Sequence, residues 1–144
     1  MPADSTWFYW ALLSAVFAAL TAIFAKIGIQ GVDSDLATLI RTVIILVVLT
    51  GFVIYAHKWS NPFQLSGKTW TFLVLSGLAT GGSWVCYFRA LKIGDSSKVA
   101  PVDKLSVVLV AVFATLFLGD RPSFREWFGI ALVAGGIVIL GLKR

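Results

Sequence analysis

Charge is scarce in this chain, and so are the residues that most enzymes work with. Only 13% of its 144 residues are charged, and it holds one cysteine, one methionine and one histidine. A single cysteine, Cys86, excludes an internal disulfide and any cysteine cluster, and its position inside an apolar run suits a small packed residue. A single histidine, His57, beside Lys58 and Trp59 in a connector, excludes the HExxH zinc pattern. No glycine-rich loop leads into a helix carrying a phosphate-binding lysine. Hydrolytic or metal chemistry needs nucleophile, base or ligand groups that converge, and these are missing. The sequence therefore predicts no enzyme, no cofactor and no metal site, with an intramembrane enzyme built on Asp103 as the residual alternative.

Apolar residues fill the space that charge leaves. They make up 58% of the chain, and the mean hydropathy is +0.90, far outside the range of ordinary soluble domains. Crossing a bilayer takes roughly 20 mostly apolar residues per helix, so about five passes use nearly the whole length. The apolar stretches are Trp7–Ile29, Leu36–Ala56, Thr69–Leu91, Val99–Leu118 and Phe124–Leu142. Short connectors rich in Gly, Pro, Asn, Asp and Ser separate them and make neighbouring helices antiparallel. The expected fold is an all-α integral membrane protein, one transmembrane domain over residues 1–144 with five spans. No Lys or Arg precedes the first span, and its apolar stretch outruns a signal-peptide core, so it is expected to be retained.

Five passes define two membrane faces, and tryptophan supports that division. Trp7, Trp10, Trp59, Trp70 and Trp127 fall on or beside the N-terminal face, as an interfacial aromatic belt requires, and Trp84 lies within a span. Basic residues divide less sharply. Lys58, Lys68, Arg121 and Arg125 flank the N-terminal face, and Lys26, Arg89, Lys92, Lys98, Lys143 and Arg144 the other. The excess places the C-terminus in the cytoplasm, and its small size permits both orientations. The net charge of +5 resides mostly at span ends, where long side chains snorkel to headgroups, which argues against a nucleic-acid partner.

Two constellations stand out against this background. In "VAPVDKLSVV", residues 99–108, Asp103 and Lys104 lie about 9 Å beyond Ser97 along a helix, inside the hydrocarbon core. A charge at such depth is costly and generally faces a partner or a solute path. Arg41, Lys26 and Arg89 reach similar depths, which predicts a charge cluster in which Asp103 offsets one of these cations and Lys104, about 100° round the helix, points elsewhere. Both a structural network and a role in solute or proton handling fit this pattern. In span three, Ser76, Thr80, Ser83 and Tyr87 share one helical face, flanked by Gly77, Gly81, Trp84 and Phe88. The Gly77–Gly81 GxxxG pair is expected to permit close helix packing. Ser14 and Thr21 on span one, and Asp103 and Ser106 on span four, offer polar edges toward that stripe. Span five has no strongly polar residue from Phe128 to Leu142 and is expected at the periphery, for packing or dimerisation.

The stretch from Gly77 to Leu140 closely resembles the second part of an EamA domain, of the drug/metabolite transporter superfamily. The resembling features are the "YFRAL" close of span three, the short Ser-containing turn, the "VAP" start of span four, the "FLGDRPS" hairpin and the Gly-rich last span. The resemblance implies a five-helix transporter repeat. Many members carry two such repeats of opposite topology, which implies for this chain an antiparallel homodimer or pairing with a homologous inverted subunit.

The function expected is a transporter subunit in the inner membrane of a bacterium or archaeon. Its partners are the bilayer and a small organic metabolite or drug-like solute moved by alternating access. The path would run along Ser14, Thr21, Ser76, Thr80, Ser83 and Ser106, with Asp103 as the proton-responsive or cation-pairing group. Arg41 and Lys104 would supply counter-charges, and Trp84 and Tyr87 flat walls. The rival reading is a structural or accessory subunit of a larger complex that transports nothing itself.

Overall fold

The computed structural model describes residues 6–142, so Lys143 and Arg144, counted above in the topology, lie outside the described residues. Five helical stretches are long and apolar enough to cross a membrane, and no strand occurs among the described residues. They begin with α1 (Thr6–Gly28), α2 (Ser34–Tyr55) and α3 (Gly67–Ile93). The fourth is broken into α4 (Ser96–Asp103), α5 (Ser106–Phe113) and a π-helical turn (Ala114–Leu118), and α6 (Phe124–Gly141) is the fifth.

Local chemistry sets the ends. Asp33 caps α2, its carboxylate accepting from the Asp35 and Leu36 amides at 2.9 and 3.1 Å. The helix thereby starts two residues before the apolar run that begins at Leu36. At its far end α2 closes with a Schellman motif: Lys58 N–H donates to the Val53 carbonyl and His57 N–H to that of Ile54. His57 occupies the left-handed position at φ 52°, where glycine is usual. A reciprocal capping box starts α6, with the Ser123 amide donating to Glu126 Oε2 at 2.6 Å and the Glu126 amide to Ser123 Oγ at 3.4 Å.

Span four departs from the continuous helix expected over Val99–Leu118. Pro101 lies inside α4 and has no N–H to give the Ser97 carbonyl. Beyond it the bonds tighten to three-residue spacing, from Lys104 to Pro101, Leu105 to Val102, Val107 to Lys104 and Val108 to Leu105. The span ends at Gly119, in the left-handed region at φ +75°, with the Asp120 amide donating to the Ala114 carbonyl.

Two compact units are formed, one of Phe24–Lys92 and the other of Met1–Ile23 with Ile93–Arg144. In the second unit α6 packs on both α4 and α5. Most burial belongs to the first, where Ala25, Ile29, Ser34, Thr38, Phe88 and Leu91 are enclosed, Leu91 completely. Large apolar side chains along every span are otherwise uncovered by protein, as helices facing lipid or a partner require.

Candidate functional site

The end of α3 is tied to the α1–α2 corner by three cations. Lys26 Nζ donates to the Leu91 carbonyl at 2.7 Å, and Lys92 Nζ to the Val32 carbonyl at 2.8 Å. Arg89 grips Asp35 through two hydrogen bonds, Nε to Oδ1 at 2.9 Å and Nη2 to Oδ2. Leu91 lies in the last turn of α3, where carbonyls lack intrahelical donors, so the lysine satisfies a group that apolar surroundings would otherwise strand. Lys26 and Lys92 thus donate to backbone carbonyls at this corner. Arg89 takes its carboxylate from α2, which corrects the cation cluster balanced by Asp103.

Below that corner α2 and α3 diverge around a groove of about 620 Å³. Helix α3 supplies Leu73, Ser76, Gly77, Thr80, Gly81, Trp84 and Val85, and α2 faces them with Asp35, Thr38, Leu39 and Thr42. Steps of four drift about 40° round an α-helix, so the wall follows two parallel rows, 73–77–81–85 and 76–80–84. Ser76, Thr80 and Trp84 of the expected stripe therefore come together, while Ser83 and Tyr87 are not among the lining residues. Tyr87 instead packs edge-on against Phe88 with ring centroids 5.3 Å apart.

Gly77 and Gly81 border open space within this chain. A Cβ added to Gly77 or Gly81 would meet nothing within 4 Å, so no other described helix of this chain packs closely there. The missing side chains form the groove floor.

Hydroxyl orientation gives the groove a chemical sense. Thr38 Oγ1 donates to the Ser34 carbonyl at 2.7 Å, Thr42 to the Thr38 carbonyl at 2.8 Å and Thr80 to the Ser76 carbonyl at 2.9 Å. Each proton is committed to its own helix, so the oxygens are left to present lone pairs to whatever they face. Asp35, Thr38 and Thr42 were missed as candidates, although their spacing of three and four was visible once α2 was extended to Ser34.

Arg41 is on the same helix, three residues beyond Thr38. Its guanidinium carbon stands 4.1 Å from the centroid of the buried Phe88 ring, a cation–π contact. Its Nη1 is enclosed without a hydrogen-bond partner among the described residues.

The remaining candidates belong to the other unit. Ser14 and Thr21 are uncovered on α1, and Ser106 begins α5 just past the break. Lys104 Nζ donates to Asp103 Oδ2 at 3.2 Å, which corrects the expectation that it points elsewhere. The 100° separation assumed an unbroken helix, and here Asp103 ends α4 while Lys104 is its C-cap. The pair stands about 12 Å beyond Ser96 along the span.

Fold and groove define a multi-pass helical membrane protein with a largely apolar recess between two of its spans, marked by a few hydroxyls. Residues 5–142 match the EamA-like transporter family, and the chain belongs to that family. It is a membrane transporter. A protein of Sinorhizobium sp., described as an uncharacterized transporter in the cobO 3' region, is 55% identical over 139 residues, covering 96% of this chain and 99% of the relative. The uncharacterized transporter YxxF of Bacillus subtilis is 27% identical over 136 residues, which are 94% of this chain but 42% of the relative's length. A protein of Pseudomonas fluorescens described as a probable 4-amino-4-deoxy-L-arabinose-phosphoundecaprenol flippase subunit, ArnE, is 27% identical over 88 residues, 60% of this chain and 68% of the relative. No solved structure matches the chain.

Proposed function

We propose that the chain moves a small organic solute across the cytoplasmic membrane through the α2–α3 groove, as one half of a pair whose members lie in opposite orientations. The groove carries this reading: about 620 Å³ is the size of a site for a small organic ligand. Its mixture of hydroxyls, an indole wall and a glycine floor suits a partly polar, partly flat molecule.

Alternating access in inverted-repeat transporters moves one repeat against its mate around a midplane site, often beside a broken helix. The break after Asp103 supplies such a discontinuity. The Asp103–Lys104 pair is its polar centre, with the carboxylate proton-responsive or cation-pairing and Ser14, Thr21 and Ser106 as further edges of the path. The longer Bacillus relative, which accommodates this chain in 42% of its length, supports pairing. The near-even basic residues of the two faces support insertion both ways, with the C-terminus preferentially cytoplasmic.

Single cysteines placed at either end in a Cys86→Ser background, labelled in intact cells with an impermeant thiol reagent, test the pairing. Labelling of both ends in separate fractions of molecules supports the antiparallel homodimer, and labelling of one end alone overturns it. Exchange of radiolabelled metabolites by proteoliposomes tests the groove, through loss of uptake in Thr80→Val and Trp84→Ala at unchanged protein level. The name "flippase subunit" borne by the Pseudomonas relative favours a second arrangement, in which a different, inverted subunit completes the path. Co-purification of such a subunit, with one-ended labelling, distinguishes it.

A further inference from the structure

Arg41 combines features that a purely structural arginine in a membrane span does not need. It remains charged at any physiological pH and carries five donors in a planar fork. Among the described residues it has no ion-pairing carboxylate, since the ion pairs formed are Arg89–Asp35, Lys98–Asp95 and Lys104–Asp103. Its Nη1 is enclosed and unbonded among the described residues, and the one carboxylate on the groove, Asp35, is held by Arg89. The Phe88 ring holds the guanidinium by its face, a contact that uses none of its N–H donors. A half-buried guanidinium with one enclosed nitrogen and no acceptor for it among the described residues is an incomplete site.

We infer that Arg41 is an anion-binding residue, taking a phosphate or carboxylate that enters between α2 and α3. Position relates it to the groove: Arg41 of α2 and Phe88 of α3 meet between the two helices that line it, although neither is itself a lining residue. The ligand class follows from the two chemistries together. Its anionic group meets Arg41, whose fork matches two oxygens at once. Donor groups on the rest of the molecule, amine or hydroxyl, meet the oxygens of Thr38, Thr42 and Thr80, whose own protons are spent on their helix. A neutral apolar solute would leave Arg41 without an acceptor. The same anion has two sources, a free solute or a phospholipid headgroup. As a statement about the transported solute the inference rests on the groove reading above, but binding is measured without transport, so the two fail separately.

The test uses purified full-length protein in phosphatidylcholine nanodiscs, titrated with inorganic phosphate and with glutamate at constant ionic strength. A parallel arm uses nanodiscs containing phosphatidylglycerol. Binding is read by thermal stabilisation for wild type, Arg41→Lys and Arg41→Gln. The expected result is stabilisation by at least one probe, weakened tenfold or more in Arg41→Gln and partly restored in Arg41→Lys. Phosphate or glutamate acting in phosphatidylcholine identifies a free solute, and phosphatidylglycerol acting alone identifies a headgroup. Should Arg41→Gln fail to fold, arginine guanidinium ¹⁵N resonances of the wild type are followed instead, and one must shift on adding the active probe. Equal binding by wild type and Arg41→Gln, or no stabilisation and no resonance shift with any probe, overturns the assignment.

Discussion

Arg89 and Asp35 join α3 to α2 by two hydrogen bonds from one guanidinium edge to one carboxylate, at the mouth of the groove that the two helices enclose. Both side chains are about half uncovered, 61% and 46%, so the pair can open without dragging a core apart. The planar fork meets both carboxylate oxygens at once, which adds directional specificity to the charge pairing.

Removing either partner should therefore lower transport. Asp35→Asn and Arg89→Gln are each expected to cut solute uptake several-fold in proteoliposomes. The exchanged pair Asp35→Arg with Arg89→Asp should recover much of it, since the contact is re-formed in reverse. Recovery no better than either single variant would show that one of the two groups acts on the solute itself.

Filling the groove floor separates transport from folding. A Cβ at Gly77 or Gly81 would meet nothing within 4 Å, so the groove is expected to take the leucine of Gly77→Leu or Gly81→Leu without a clash within the chain. Both should reach wild-type protein level and melting temperature while uptake falls at least tenfold. Alanine at the same positions, adding one methyl group, should leave most uptake. A melting temperature that falls with leucine means a helix does close on these glycines in the membrane.

His57 pays for its left-handed backbone, and glycine should not. His57→Gly is expected to stabilise the protein by about 1 kcal/mol, because an L side chain at that position costs roughly 1–2 kcal/mol. Chemical or thermal unfolding in detergent measures it. A destabilised His57→Gly would mean that the imidazole makes contacts worth more than the strain.

Pro101 breaks span four by withholding one donor. Pro101→Ala restores an N–H able to reach the Ser97 carbonyl, and proline inside a helix costs up to about 3 kcal/mol. The variant should be at least as stable as wild type. If the break is used in transport, its uptake should nonetheless fall, and hydrogen exchange around Asp103 should slow. Unchanged uptake would make the interruption a passive feature.

Most of the architecture was legible because its physics is local. Helices in lipid satisfy their own backbone groups, so an apolar run of sufficient length between turn formers is close to sufficient evidence for a span. Boundaries moved by a few residues where a side chain outside the apolar run extended a helix, as Asp33 did for α2. Pro101 was visible too, yet its effect on the run around Asp103 was not, since proline is often tolerated in transmembrane helices. The polar stripe on α3 was half right. Ser76, Thr80 and Trp84 face α2, whereas Ser83 and Tyr87 do not line the groove, a difference decided by which helical rows the partner helix opposes.

Composition and patterning alone established a helical membrane protein with five crossings and a polar face on the third, because burial in lipid is a property of each segment by itself. Partner choice was settled only by the tertiary structure. Which carboxylate Arg89 takes, which carbonyl Lys26 caps, that Lys104 turns back to Asp103, and that Gly77 and Gly81 border space rather than a helix all depend on where chain segments remote in sequence come together. Hydrogen bonds and ion pairs act over a few ångströms, and spacing along one helix specifies a direction round its axis but not what stands there.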